Sequence, residues 1–257
     1  MEKHKFKKKY GQNFLRNDAI LDKIVSSFEC DSNSKIIEVG PGDGALTKKL
    51  VKKNVDVIAF EIDESLKQYL EKIDAPNLRI VYGDFLEVKL EDYSNEQDKL
   101  CVIANIPYYI TTPIITKFIE DKFIPEVMVL MVQKEVAERL SAKPKTSSYG
   151  AITVLLNYYF DIEYLFTVDR SEFYPVPNVD SAIIKLVKKN NNVECDYNKF
   201  KIIVNDAFKQ KRKNLRNNLK NYDLNIIEEI LNKYNFNLCS RAEELSLDVF
   251  IEICNNL

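Results

Sequence analysis

Short apolar runs alternate with amphipathic stretches through residues 17–186, and this alternation restricts the fold more than any other feature of the chain. Strand-like and helix-like segments in this order predict a mostly parallel β-sheet with helices on both faces. The predicted strands cover residues 35–39, 55–61, 78–82, 100–104, 127–131, 162–168 and 182–187. The predicted helices cover residues 19–28, 45–53, 64–72, 113–120, 134–140 and 152–159. Because no helical segment separates the last two strands, we expect them to form an antiparallel hairpin at one end of the sheet.

A polar stretch at residues 188–194 separates this pattern from a purely helical one. Beyond it, apolar residues recur at helical spacing over residues 197–208, 212–219, 224–234 and 242–254. The full length of 257 residues accommodates one sizeable domain and a small appendage. We therefore predict an α/β domain at residues 1–189 and a small all-α domain at residues 190–257.

The histidine and cysteine content argues against several kinds of catalytic and metal site. His4 is the only histidine, which disfavours a Ser-His-Asp triad, a His-rich metal centre and a His general base. The five cysteines are scattered without paired spacing, which argues against disulfides or a zinc site and favours a reducing compartment. The longest apolar run, residues 127–132, is too short to cross a bilayer. We expect a cytoplasmic protein with no bound metal and no membrane association.

Residues 38–44, with the sequence Glu-Val-Gly-Pro-Gly-Asp-Gly, follow the first predicted strand and open a helical segment. Glycines let the backbone pass close to a ligand there, and the start of the helix supplies unpaired N–H groups. A dinucleotide-binding domain would also carry a glycine-rich turn at this place. The spacing differs, because Gly40, Gly42 and Gly44 alternate, whereas the dinucleotide fingerprint leaves two residues before its third glycine.

Acidic residues end the next two predicted strands. Glu61 could accept both hydroxyls of a ribose, and Asp84 could accept an adenine amine while the ring of Phe85 covers the purine. Either carboxylate alone is more typical of a helix cap or a solvated loop. Their placement at successive strand ends favours a ligand site, because ligands of open α/β sheets bind at that edge.

The tetrapeptide Asn105, Ile106, Pro107 and Tyr108 follows the fourth predicted strand. The Asn105 side-chain oxygen and the Ile106 main-chain oxygen could accept the two N–H groups of an adenine amine and hold its nitrogen towards a methyl donor. Pro107 would stiffen the turn, and Tyr108 offers a flat face to a flipped-out base. A strand that runs into a proline turn beside an ordinary aromatic residue has the same sequence, so this motif alone leaves both interpretations open.

These strand-end motifs together resemble the S-adenosylmethionine-dependent methyltransferases of the Rossmann-like class. More closely, the chain resembles the bacterial KsgA family of small-subunit (16S) rRNA adenine N6,N6-dimethyltransferases. Long, irregular motifs extend the similarity over nearly the whole chain. They lie at residues 11–15, 110–115, 133–140, 173–181 and 208–216. The resemblance implies a mostly parallel seven-stranded sheet with a C-terminal antiparallel hairpin, followed by a small helical domain that binds RNA.

The resemblance also implies site residues. Those implied for contact with S-adenosyl-L-methionine are Asn13, Leu15, Gly40, Glu61, Asp84 and Asn105. The predicted donor site further includes Gly42, Ile62 and Phe85. For the target adenine the resemblance implies contacts from Asn105, the Ile106 carbonyl and Tyr108. Because a sulfonium group already activates the donor methyl, the reaction is expected to need no metal.

Candidates for contact with RNA lie outside the donor motifs. Phe173 begins a loop stiffened by Pro175 and Pro177, where it could form a second wall of the base pocket or anchor the hairpin in the core. Two basic runs, at residues 3–9 and 209–220, could hold phosphates around an unstacked loop, although such runs are more often solvated surface. The predicted RNA-binding residues, spaced to share part of a helix face, are Lys209, Lys211, Arg212, Lys213 and Arg216.

The expected function is dimethylation of N6 of two adjacent adenosines in a hairpin near the 3′ end of small-subunit rRNA, carried out by a monomer on a pre-30S or 30S particle. Ile106 leaves a large-subunit (23S) rRNA dimethyltransferase of the macrolide-resistance type open, because that group shares Ile where the KsgA family commonly has Leu. Residues 133–140 and the basic motif argue against it. Further alternatives are a DNA adenine methyltransferase, for which no separate target-recognition segment is evident, and a ribosome-assembly binding factor with secondary catalysis.

Overall fold

A computed structural model describes residues 13–95, 97–105, 110–190 and 194–257 of the chain. Seven strands form one sheet in the order β4-β3-β2-β5-β6-β9-β7. The strands of this sheet are β2 (Ser34–Val39), β3 (Asp56–Glu61), β4 (Leu78–Tyr82), β5 (Lys99–Asn105), β6 (Val127–Gln133), β7 (Phe160–Val168) and β9 (Ser181–Lys188). The strands from β4 to β6 pair in parallel, and β9 pairs antiparallel with β6. The predicted Rossmann-like sheet is confirmed, with its last two strands adjacent at one end.

Two very short strands form a separate antiparallel sheet. They are β1 (Phe14–Leu15) and β8 (Phe173–Tyr174), in which Phe14 is opposite Tyr174 and Leu15 is opposite Phe173. The sequence did not predict this pair, because two residues are too few to show a strand periodicity. The pairing joins the first described residues to the loop before β9, about 160 positions later in the chain.

The α-helices begin mostly where a short polar side chain caps their first N–H groups. Asn17 caps the first helix through bonds from Ala19 N and Ile20 N, and Asp196 and Asp223 cap two of the later helices. The helices in the described parts of the chain are α1 (Asp18–Ser26), α2 (Thr47–Leu50), α3 (Lys67–Leu70), α4 (Thr111–Glu120), α5 (Lys134–Leu140), α6 (Ala151–Tyr159), α7 (Tyr197–Phe208), α8 (Leu215–Asn218), α9 (Leu224–Lys233) and α10 (Leu247–Asn256). In these described parts, no helix combines the length and apolar character needed to cross a membrane.

The chain divides into two compact units. The first comprises the described residues up to Ala137 together with Glu163–Lys188, and the second comprises Glu138–Ile162 and Lys189–Leu257. The predicted assignment of residues 1–189 to one domain stays a prediction, although residues 138–162 cluster here with the C-terminal helices. Helix α6 packs against α7 and α10, which explains that grouping.

Each unit has its own apolar core. In the first unit, the centre of the sheet contributes Ile36, Val57 and Ile103, each at most 1% exposed, and α1 packs Leu21 and Ile24 against the same cluster. In the second unit, α7, α9 and α10 bury apolar faces against each other. Complete burial of each aliphatic side chain contributes about 1.5–3 kcal/mol, so both units are stabilised chiefly by these interfaces.

The helix predicted at residues 212–219 is shorter in the structure. Helix α8 begins at Leu215 because the Asn214 side chain accepts the Asn217 N–H and caps it there. Lys213 N–H donates to the Gln210 carbonyl in a turn before the cap. The prediction that Lys211, Arg212, Lys213 and Arg216 share a helix face is therefore wrong, because only Arg216 lies on a helix.

Candidate active site

The carboxyl ends of β2, β3, β4 and β5 border one cavity of about 330 Å³, within the usual range for small-molecule sites. We refer to it as the strand-end cavity. Every residue predicted for the donor site lines it, as does Phe173. These predicted residues are Asn13, Leu15, Gly40, Gly42, Glu61, Ile62, Asp84, Phe85 and Asn105. The structure thus brings together residues spread over more than 150 positions, as expected for a ligand site at the edge of an open α/β sheet.

The glycine-rich turn after β2 forms one wall of the strand-end cavity. Gly40, Gly42 and Gly44 all have positive φ values, of 75°, 63° and 82°. A Cβ atom at Gly42 would lie 2.8 Å from a ring carbon of Phe14, so the turn leaves no room for a side chain there. The alternating glycines therefore let the main chain form the wall itself.

Glu61, the last residue of β3, links that strand to the glycine-rich turn. One carboxylate oxygen accepts the Gly42 N–H at 3.0 Å and the other accepts the Asp63 N–H at 2.8 Å. Burial raises the pKa of Glu61, and the two backbone N–H bonds act in the opposite direction. The carboxylate is held in a fixed orientation at the cavity wall, and each oxygen retains capacity to accept a further bond.

The third strand end contributes Asp84 and Phe85. The Asp84 side chain caps the following 3₁₀ turn by accepting the Leu86 N–H at 2.9 Å, so the helix-cap interpretation of this residue applies. Phe85 is buried, with its ring centroid 5.1 Å from that of Phe60 and 5.5 Å from that of Phe118. By contrast, Ile62 is 44% exposed. The cavity therefore has a rigid aromatic wall and an apolar side chain that remains open to solvent.

Glu38 is a cavity residue to which the sequence assigned no separate role. It belongs to β2, is 1% exposed and lines the cavity, and its Oε2 atom has no hydrogen-bond partner among the described residues. Burial raises the pKa of Glu38 to about 8, with a further upward contribution from Glu61 and an opposing one from the Thr47 hydroxyl. An acidic residue at the end of a buried strand was visible in the sequence, but its protonation depends on the tertiary packing around it.

The charge of the strand-end cavity is of one sign. Its described lining contains the carboxyl side chains of Glu38, Asp43, Glu61 and Asp84 and no lysine, arginine or histidine. Asp43 forms an ion pair with Arg16 across 2.6 Å, but the arginine does not line the cavity. Such a cavity suits a ligand that carries positive charge and hydrogen-bond donors, as S-adenosylmethionine does with its sulfonium, ammonium and ribose hydroxyl groups. An anionic pyrophosphate would be disfavoured, which separates this site from a dinucleotide site.

The residues predicted to bind the base are only partly described. Asn105 is half-buried at the end of β5 and lines the cavity. Ile106, Pro107 and Tyr108 lie outside the described residues, so their predicted roles stay predictions. Phe173 is 3% exposed and belongs both to the core of the first unit and to the cavity lining. The two interpretations of Phe173 are therefore compatible, because one buried ring can anchor the core and form a cavity wall.

The predicted RNA-binding residues are all exposed on the second unit. They are Lys209, Lys211, Arg212, Lys213 and Arg216, referred to below as the basic cluster. Lys211 donates a hydrogen bond to the Ser147 carbonyl at 2.8 Å, so part of its role is within the second unit. The N-terminal lysines at residues 3–9 lie outside the described residues.

Side chains that could bind a metal were searched over the same described ranges. Among those residues, no group of three or more His, Cys, Asp or Glu side chains is arranged to hold a metal ion. All five cysteines are free thiols, and the Sγ atoms of Cys30 and Cys101 lie 3.9 Å apart.

Comparisons with known proteins agree with this site. Residues 3–257 match the family described as Ribosomal RNA adenine dimethylase. The chain is 43% identical over 250 residues to Ribosomal RNA small subunit methyltransferase A of Mycoplasma mobile, with 96% of each chain covered. It is 41% identical over 266 residues to the protein of the same name from Bacillus cereus, with 98% of this chain and 91% of that protein covered.

Two solved structures are similar to the chain over most of its length. A dimethyladenosine transferase from Plasmodium falciparum has a TM-score of 0.79 at 28% identity, with 93% of this chain and 95% of that chain covered. The 23S rRNA methyltransferase ErmE has a TM-score of 0.75 at 26% identity, with 95% of this chain and 99% of that chain covered. The family match over nearly the whole sequence shows that the chain belongs to the ribosomal RNA adenine dimethylases, which transfer methyl groups from S-adenosylmethionine to adenines of ribosomal RNA.

Proposed function

We propose that this protein dimethylates N6 of two adjacent adenosines in a hairpin near the 3′ end of small-subunit rRNA, acting as a monomer on a pre-30S or 30S particle. The observation that carries this proposal is the strand-end cavity, where a donor site and a candidate base wall meet. The names of the relatives at 43% and 41% identity support the small subunit as the source of the substrate.

The residues proposed to hold the donor act through complementary chemistry. Glu61 would accept the ribose hydroxyls, Asp84 would accept the adenine amine, and Phe85 with Ile62 would contact the purine. The turn at Gly40 and Gly42 would pass beside the methionine portion, with Asn13 and Leu15 closing the site from the N-terminal side. When bound, the donor supplies a methyl group already activated by its positively charged sulfur.

The proposed task of the base-binding residues is to position a poor nucleophile, because the lone pair of an adenine amine is delocalised into its ring. Asn105 Oδ1 and the Ile106 carbonyl would accept the two amine N–H groups and orient the nitrogen, while Tyr108 and Phe173 would stack on the flipped base. The amine proton would leave to water. For the second methylation, the same two acceptors would hold an amine that retains one N–H.

Adenines can be reached only when unstacked, so the proposed substrate is a single-stranded loop. The basic cluster would hold phosphates on the flanks of such a loop without reading its sequence. Sequence selection would then come from the shape of the particle and from the base pocket.

Methylation of isolated ribosomal subunits tests the proposed substrate. The protein is incubated with labelled donor and with small or large subunits that lack the dimethyladenosines, and the RNA is then digested to nucleosides. We expect labelled dimethyladenosine from small subunits and none from large subunits. Label confined to large-subunit RNA would replace the proposal with the activity named for ErmE. An Asn105→Ala protein in parallel identifies any methylation by a contaminating enzyme.

A further inference from the structure

Glu38 is a buried carboxyl group that faces the strand-end cavity and lacks a partner. Its side chain is 1% exposed, and Oε2 has no hydrogen-bond partner among the described residues. A buried acceptor in this state is costly unless a ligand or a proton satisfies it. Because Glu38 also lines the cavity, a cation bound there is close enough to act on it.

The groups around Glu38 make the site anionic. Glu61 at the end of β3 adds a like charge, Thr47 on α2 offers a neutral hydroxyl, and Asn105 at the end of β5 is uncharged. The remaining charged lining groups are Asp84 and Asp43, of which Asp43 is paired with Arg16. Within the described lining there is no basic side chain that could compensate an ionised Glu38.

Burial and the neighbouring Glu61 raise the pKa of Glu38 to about 8. Below that pH the empty cavity favours the protonated, neutral acid. A positive charge placed beside the group favours the ionised form and therefore lowers its pKa. The methyl donor carries a sulfonium, whereas the product left after transfer has a neutral thioether and the same ammonium and carboxylate groups.

We propose that Glu38 distinguishes the methyl donor from the demethylated product by charge, losing its proton to solvent when the donor binds and keeping it when the product binds. This inference rests on the donor site of the proposed function. The step is balanced as Glu38-COOH becoming Glu38-COO⁻ with one H⁺ released to the buffer. Glu38 acts here as a positioning residue that tunes the electrostatics of the cavity and does not take part in bond making.

The proposal has a defined pH signature. While the free group is protonated and the donor-bound group is ionised, the apparent Kd for the donor falls about tenfold for each unit of pH, and it levels off near pH 8. The apparent Kd for the product changes little over the same range. The preference of the protein for donor over product therefore grows as pH rises from 6 to 8, and fast product release is favoured.

Isothermal titration calorimetry on the full chain without RNA tests this inference. Donor and product, S-adenosylmethionine and S-adenosylhomocysteine, are each titrated at pH 7 in phosphate and in Tris, whose different ionisation enthalpies report the protons released. We expect about 0.5–1 proton released with the donor and less than about 0.2 with the product. Equal release with both ligands, or none with either, would overturn the proposal, and both outcomes are readable on the wild-type protein alone.

Two variants assign the released proton to Glu38. Glu38→Gln keeps the size of the side chain and removes its titration, so donor binding should release no proton and its Kd should become independent of pH. The matched control Glu91→Gln changes an exposed glutamate outside the cavity lining and should behave as wild type. Unchanged proton release in Glu38→Gln would overturn the assignment. Failure of either ligand to bind the wild-type protein would instead refute the donor site itself, and methylation of large-subunit RNA with normal proton release would refute only the proposed substrate.

Discussion

The Glu61 carboxylate accepts the Gly42 N–H at 3.0 Å, so the end of β3 is bonded directly to the glycine-rich turn after β2. Two walls of the strand-end cavity are thereby fixed relative to each other before a ligand arrives. Such preorganisation reduces the entropy lost on binding. A change on either side of this bond should therefore be measurable as a loss of donor affinity.

Gly42→Ala should weaken donor binding. The residue has a φ of 63°, and an added Cβ would lie 2.8 Å from the Phe14 ring. Strain of this kind costs on the order of 1–3 kcal/mol, which corresponds to about a 5- to 150-fold increase in donor Kd if it falls on the bound state. Gly150→Ala is the control, because its φ is −156° and nothing lies within 4 Å of the added atom. Calorimetry that finds equal donor affinity in both variants would contradict the prediction.

Asn105→Ala should abolish most methylation while leaving the protein folded. Removal of one oriented acceptor typically lowers kcat by about 10²–10³-fold. Single-turnover methylation of small subunits measures the effect, and filter binding checks that affinity for the particle is retained. If Asn105→Ala restored ribosome assembly in cells lacking the protein, the role as a binding factor would be favoured over the enzymatic one.

Phe173→Leu should separate packing from stacking. Replacement by alanine would remove a side chain that is only 3% exposed and cost about 3–5 kcal/mol, which confounds any kinetic result. Leucine keeps most of the volume and removes the aromatic face, whose stacking on a base contributes about 1–3 kcal/mol. We expect kcat/KM for RNA to fall at least about fivefold with donor Kd unchanged. Phe166→Leu, in the same core but away from the cavity lining, should leave kcat/KM near the wild-type value.

Charge reversal in the basic cluster should weaken RNA binding without affecting the donor. In Arg212→Glu with Lys213→Glu, the salt dependence of RNA affinity should fall by about 0.7 for each lost phosphate contact in a single strand. Lys52→Glu with Lys89→Glu reverses two exposed lysines of the first unit and serves as the control. RNA affinity measured from 50 to 200 mM salt decides the matter, and an equal loss of donor binding would indicate unfolding instead.

Glu38→Gln should stabilise the protein at alkaline pH. The pKa of Glu38 is raised from 4.5 to about 8 in the folded state, so between these values the folded chain holds a proton that the unfolded chain has lost. The wild-type free energy of unfolding therefore falls as pH rises through this window and is level above it. Urea denaturation should show that the advantage of Glu38→Gln over wild type grows by about 2–4 kcal/mol between pH 5 and pH 8. A constant difference would mean that Glu38 titrates normally.

The strands of the large sheet were predictable to within one or two residues because buried parallel strands are continuous apolar runs. The strand ends then located the donor residues, since the sheet topology places Gly40, Glu61 and Asp84 at one edge. Properties that depend on contacts distant in sequence were not predictable. The β1–β8 pairing, the grouping of α6 with the C-terminal helices and the raised pKa of Glu38 all belong to this class. The start of α8 at Leu215 depended on a cap by Asn214 that the hydrophobic spacing of residues 212–219 concealed.

The β1–β8 sheet has a consequence for how the site comes into being during synthesis. Leu15 is among the first described residues of the chain, yet its strand partner Phe173 follows more than 150 residues later. A nascent chain that has not reached Phe173 lacks one cavity wall and the only strand that pairs with β1 in the described structure. Contacts of such long range form late in folding. Donor capture is therefore a property that the growing polypeptide acquires only after most of the first unit has been made.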